Sequence, residues 1–195
     1  MAKKDLLYYI PAGQYGKEGV LSLLEQHPEI KFVSLVGIDL AGNDTDEKIP
    51  MSVFFDDYES FFEGRAVQTD GSSVVLTNIA TLNNARVDMW GDPDVNWFVD
   101  YNYENIDEAT GLPTGTLRIP AFLMHNYRYV DSRSILKRSC DYVRAELLSL
   151  IKEKGIPSMP HINADEIVDI VFTSATELEF WVKTPSRTVT KKELS

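Results

Sequence analysis

The sequence predicts an α+β protein, and two observations carry that reading. Short runs of β-branched and aromatic residues recur through the first two thirds of the chain, separated by Gly, Asp, Asn and Pro. Two segments, 16–27 and 132–154, instead place their apolar residues at helical spacing. No internal repeat and no low-complexity tract interrupts this pattern.

Leu6 to Ile10 reads as a short strand or extended arm. Gly16 to His27 is a helix, with Val20, Leu23 and Leu24 as its stripe and Pro28 closing it. Lys31 to Leu40 is a strand rich in β-formers, and Ala41-Gly42-Asn43-Asp44 turns the chain into a second strand over Ile49 to Phe55. Asp56 to Phe62 is a short helix with Asp56 as N-cap and Gly64 as stop. Asp70-Gly71-Ser72-Ser73 is a loop. Strands follow at Ala85 to Met89, Asn96 to Tyr101 and Thr116 to Met124. The polar, Gly- and Pro-containing stretch from Tyr103 to Gly115 is the expected boundary between two domains, 1–115 and 116–195. Ser132 to Lys154 is the clearest helix: Asp131 or Ser132 caps it, Ile135, Leu136, Cys140, Val143, Leu147, Leu150 and Ile151 form its stripe, and Gly155 and Pro157 end it. Glu166 to Lys183 reads as strand with a break near Thr173 to Thr176, and Pro185 to Ser195 loses hydrophobic pattern.

Composition narrows the function classes. The net charge of -11 opposes non-specific binding to nucleic acid or anionic lipid. No apolar run is long enough to cross a bilayer, and the N-terminus lacks the apolar core of a secretory signal. The single cysteine, Cys140, rules out an intrachain disulfide and fits a cytoplasmic setting; among Ile135, Leu136 and Val143 it reads as a small buried residue.

Glu177 and Glu179 are the first chemically suggestive pair. In an extended strand they would share one face about 7 Å apart, with Leu178 and Phe180 on the other. Two carboxylates on one cavity repel unless a cation lies between them, and oxygen-only ligation favours Mg²⁺ or Mn²⁺. The same pattern also describes a half-buried strand with two solvated glutamates. Asp70 stands in an equally ambiguous place, because Asp-Gly-Ser-Ser is an ordinary turn composition. His27, His125 and His161 lie in unrelated contexts and read as helix-end, loop or surface residues. Arg133, Lys137 and Arg138 read as a surface or intersubunit basic patch; Trp90, Trp97, Phe98, Tyr101 and Tyr103 read as packing or subunit-contact aromatics.

Taken in order, several segments resemble the N-terminal third of glutamine synthetase, the ATP-dependent glutamate–ammonia ligase family. Ile30 to Leu35 through Ala41-Gly42-Asn43 and Ile49-Pro50 is similar to the first hairpin of its β-grasp domain. Asp70-Gly71-Ser72-Ser73-Val74 resembles its Asp-Gly-Ser-Ser loop. Asp131-Ser132-Arg133 to Leu136-Lys137-Arg138 resembles its Asp-Pro-Arg-x-x-Leu-Lys-Arg segment. Thr176-Glu177-Leu178-Glu179-Phe180 resembles its Glu-x-Glu-Phe strand. The chain departs from the pattern at Ala175-Thr176, where the family has Gly-Pro, at Ser132, where it has proline, and after Ser73.

The resemblance implies a β-grasp-like domain over 1–115, followed over 116–195 by an incomplete α+β catalytic domain of the glutamine synthetase/guanido kinase-like type. It implies that Glu177 and Glu179 ligate Mg²⁺ or Mn²⁺ and that Asp70 lines the ammonium site of a neighbouring subunit. It further implies ATP as co-substrate, glutamate and ammonium as substrates, a γ-glutamyl phosphate intermediate, and a homo-oligomeric ring. No Gly-rich phosphate loop is present, so the chain by itself is expected to be inactive. Two alternatives accompany this reading: a stand-alone assembly or regulatory module, and a ligase for another amine.

Overall fold

The computed structural model describes residues 5–177 and 179–180. It is mixed α+β, with a largely antiparallel sheet and four α-helices among those residues. The chain separates into two compact units, Met1–Asp141 and Tyr142–Ser195. No helix among the described residues is long and apolar enough to cross a membrane.

The first unit is organised by one long strand. In chain order it contains β1 (Tyr9–Ile10), α1 (Lys17–Glu25), β2 (Ile30–Ile38), β3 (Asp44–Pro50), α2 (Met51–Asp56), α3 (Tyr58–Phe62), β4 (Val67–Asp70), β5 (Arg86–Gly91), β6 (Trp97–Ile106), β7 (Pro113–His125) and β8 (Arg128–Tyr129). The first half of β7 lies between β6, antiparallel to it, and β2, parallel to it. Its second half leaves those neighbours and pairs antiparallel with β5 and β8. The wider path runs β1-β6-β7-β2-β3, with β4 added outside β5. Val33 and Leu35 of β2, Val87 and Met89 of β5, and Leu117, Ile119 and Leu123 of β7 are fully buried. Alternation along these strands turns one set of side chains onto the core, where Phe54 and Phe61 meet edge to face at 5.0 Å.

Two expected elements change character. The strand expected over Ile49 to Phe55 is instead the end of β3 followed by α2. Met51 and Phe54 are its buried residues, and their three-residue spacing is helical; a short apolar run does not reveal its period. The polar stretch Tyr103 to Gly115 is the tail of β6, a turn and the start of β7. Asp107 closes that turn by accepting from the Thr110 amide (3.1 Å) and hydroxyl (2.7 Å). The first unit therefore runs on through β7 rather than pausing at residue 115, because β7 takes hydrogen bonds from both sides of that position.

Helix α4 (Ser132–Lys154) starts where expected. Asp131 caps it by accepting from the Ser134 amide (2.8 Å) and hydroxyl (2.9 Å). Asp131 also accepts from the Leu123 amide at 3.3 Å, which ties the helix start to β7. Ser134 is the helix's buried residue, and Leu136, Val143, Leu147 and Leu150 of its apolar stripe are exposed. Cys140 is half-buried rather than buried.

The strand expected over Glu166 to Lys183 is not formed among the described residues. A single 3₁₀ turn, Ala164–Glu166, is capped by Asn163, and the backbone from 167 to 177 and at 179–180 is irregular. Strands are held by a ladder to a neighbour, and no strand is present among the described residues of this unit to supply one. Arg144 instead pairs with Asp169. Positions 178 and 181–183 lie outside the described residues, as does the tail Pro185 to Ser195.

Candidate functional site: the Asp70 loop

Asp70 ends β4, directly opposite Arg86 of β5. The edge strand stops there because the Asp70 carboxylate turns back and accepts the Ser72 amide at 2.7 Å, starting the 3₁₀ turn Gly71–Ser73. The carboxyl group is exposed, and the Ser72 backbone and side-chain hydrogen bonds hold its pKa below the ordinary aspartate value. Near neutral pH it is a carboxylate, free on one side to meet a cation or a proton donor.

The loop behind it is built against itself. The Gly71 amide donates to the Ala85 carbonyl at 2.7 Å, and Val74 N–H donates back to the Gly71 carbonyl at 3.1 Å. A Cβ at position 71 would collide with the Leu82 carbonyl oxygen, so glycine is required by close approach. Leu76 bridges Ala80, and Val74 and Leu76 are buried. Between the two arms of the loop lies a cavity of about 240 Å³, bordered by Ser72, Thr77, Asn78 and Asn83.

The base of this loop is clamped by Asp39, which is fully buried at the end of β2. Its carboxylate accepts from the Ala41 and Asn43 amides at 2.9 Å each, from the Asn43 side chain, and from the Val75 amide at 2.9 Å. The Leu40 amide returns a bond to the Val75 carbonyl at 3.2 Å. Burial pushes the Asp39 pKa up, but the bonds from Val75, Asn43 and Ala41 outweigh it and leave the group below its ordinary value. Sequence reasoning missed Asp39. The only signal was an aspartate before Ala41-Gly42-Asn43, a common turn composition.

Beyond Asp70, the surface of β5 carries Arg86 paired with Asp88 at 3.0 Å. His125 lies close by. Its Nδ1 donates to the Arg86 carbonyl at 2.9 Å, since a carbonyl can only accept, and Nε2 accepts from Asn126 at 2.9 Å. This uses both ring nitrogens in a loop contact. His27 is paired with the buried Glu29 at 2.9 Å, and His161 is exposed. Trp97 and Tyr101 are buried and bonded to the Asp92 and Leu7 carbonyls, and Phe98 faces outward, as strand alternation demands; Tyr103 shares the parity of Tyr101 but is exposed, like all of β6 from 102 to 106.

Glu177 and Glu179 are both exposed and lie on irregular backbone. Their oxygens suit a hard cation, but two carboxylates fill only part of a Mg²⁺ or Mn²⁺ shell. Among the described residues no group of three or more His, Cys, Asp or Glu is placed to hold a metal ion. Asp70 falls in the first unit and the two glutamates in the second.

No protein-family model matches the chain. No curated protein matches it either.

Proposed function

We propose that this chain is the N-terminal region of an ATP-dependent glutamate–ammonia ligase of the glutamine synthetase type, working through γ-glutamyl phosphate. The observation that carries the reading is Asp70: a carboxylate held ionised and outward on a loop that its own domain braces but does not cover. A residue lent to a neighbouring subunit's pocket needs that combination, whereas a purely structural turn aspartate has no need of a braced loop behind it. The central parallel pair β2–β7, flanked by antiparallel β3 and β6, also suits a β-grasp domain.

In this reading Asp70 attracts ammonium electrostatically and assists removal of its proton. Glu177 and Glu179 supply two oxygen donors to a Mg²⁺ or Mn²⁺ ion whose other ligands, like the ATP site, come from further residues of a homo-oligomer. The alternative is a stand-alone non-catalytic assembly or regulatory module, which has no use for paired metal carboxylates, so Glu177 and Glu179 are the residues that separate the two readings.

The test is glutamate-dependent ADP release by the complete product of the reading frame, with ammonium and a panel of other amines. Asp70→Asn is expected to lower amine-dependent turnover at least about a hundredfold without changing the fold. Absence of glutamate-dependent release, or release indifferent to Asp70→Asn, overturns the ligase reading.

A further inference from the structure

Where the start of α4 meets β7 and β8, the first unit has a cleft of about 760 Å³, within the range of small-molecule sites. Phe122 and Tyr129 form an aromatic wall, with ring centroids 5.3 Å apart. Leu136, 65% exposed, forms an apolar lip. Arg133 lies 4.8 Å over the Phe122 ring and is anchored by the buried Asp92. Only one arm of its guanidinium is used: Nη1 is buried and has no hydrogen-bond partner. A buried, unmatched charged donor costs free energy that a bound acceptor would recover.

The charge balance selects the acceptor. The lining contains three cations, Arg133, Lys137 and Arg138, against two carboxylates, Asp92 and Asp94. With Arg133 held by Asp92 and Lys137 by Asp141, Arg138 is the one cation of the lining without an ion pair among the described residues, on the surface of a chain whose net charge is -11. A dianionic phosphate would be undercompensated there, and a neutral apolar molecule would leave Nη1 unmatched.

We propose that this cleft is a binding site for a small organic monocarboxylate with a flat apolar body. The ring system packs on Phe122, Tyr129 and Leu136, and the carboxylate faces Arg138 and accepts from Arg133, whose half-exposed guanidinium turns to bring Nη1 out to the cleft. The site is separate from the Asp70 loop and does not depend on the ligase reading.

The test is calorimetric titration of the full chain with three probes sharing one body: 2-naphthoate, neutral 2-naphthalenemethanol and dianionic 2-naphthyl phosphate. Naphthoate should bind one per chain, at least tenfold tighter than either of the others, and weaken with added salt. Arg138→Gln, at an exposed position, should weaken naphthoate about fivefold with no change in the alcohol. Leu136→Glu, also at an exposed position, should abolish naphthoate binding by placing a carboxylate at the mouth. Equal affinity for alcohol and carboxylate, tighter binding of the phosphate, no saturable heat with naphthoate, or indifference to both substitutions would each overturn the assignment.

Discussion

The Asp39 carboxylate accepts the Val75 amide at 2.9 Å across 36 positions of sequence, joining the β2–β3 turn to the loop that follows Asp70. Both partners are needed. The turn would lose its internal acceptor without Asp39, and the loop would lose its attachment to the sheet. The exposed Asp70 carboxylate therefore rests on a buried one.

Asp39→Asn should consequently destabilise the fold by about 2 kcal/mol, since the Ala41, Asn43 and Val75 amides lose a charged, buried acceptor. Urea unfolding of the two proteins measures it. The pH dependence has a definite sign. A folded-state pKa below the unfolded value adds stability above the unfolded pKa, and that stability is lost as pH falls through the folded pKa. Stability attributable to Asp39 should thus fade below about pH 4, near the unperturbed aspartate value. The gap between wild type and Asp39→Asn should narrow over the same range; a gap that widens on acidification would contradict the assignment.

Gly71→Ala should disturb the loop more than its single methyl suggests. The obstacle is the Leu82 carbonyl, which is backbone and cannot rotate aside as a flexible side chain would. A loss of about 1–3 kcal/mol is expected. Amide exchange should accelerate at Val74 and Gly71, whose N–H groups close the loop. Unchanged protection at those amides would show that the loop absorbs the methyl.

How far the sequence revealed this architecture depended on how local each cause was. α1 and α4 were legible because their apolar spacing and end residues act within a turn or two. β2, β6 and β7 were legible from alternation and β propensity. Met51 to Phe55 was misassigned because five residues carry too little period to separate strand from helix. β4 escaped notice because only Val67 and Thr69 are buried in it, and its partner β5 starts sixteen residues later. Glu166 to Lys183 has the composition of a strand, but among its described residues none pairs with a neighbouring strand, which composition cannot supply. Asp70 was visible as a turn residue; its brace was not, because the Asp39–Val75 contact exists only once the chain has folded.

Asp131 provides a test of the link between α4 and the sheet. The side chain caps the helix through Ser134 and also reaches the Leu123 amide of β7. An ordinary N-cap is worth about 1 kcal/mol, whereas a buried donor stranded in a strand costs about 1–3 kcal/mol more. Asp131→Ala should therefore lose about 2–4 kcal/mol in urea unfolding, and Asp131→Ser should recover the cap but not the strand contact. If Asp131→Ser matched wild type, the Leu123 bond would contribute nothing.

The paired glutamates yield the last prediction. Glu177 and Glu179 are exposed, and no third His, Cys, Asp or Glu joins them among the described residues. A Mn²⁺ ion held by two carboxylates keeps most of its water, so it gains little over the free hydrated ion. Calorimetric titration of the 195-residue chain with Mn²⁺ should accordingly show binding no tighter than about millimolar, weakened further by Glu177→Gln with Glu179→Gln. Tight one-to-one binding that vanishes in the double variant would mean that the chain completes the ion's shell with oxygens other than those of a carboxylate cluster, such as backbone carbonyls beside the glutamates.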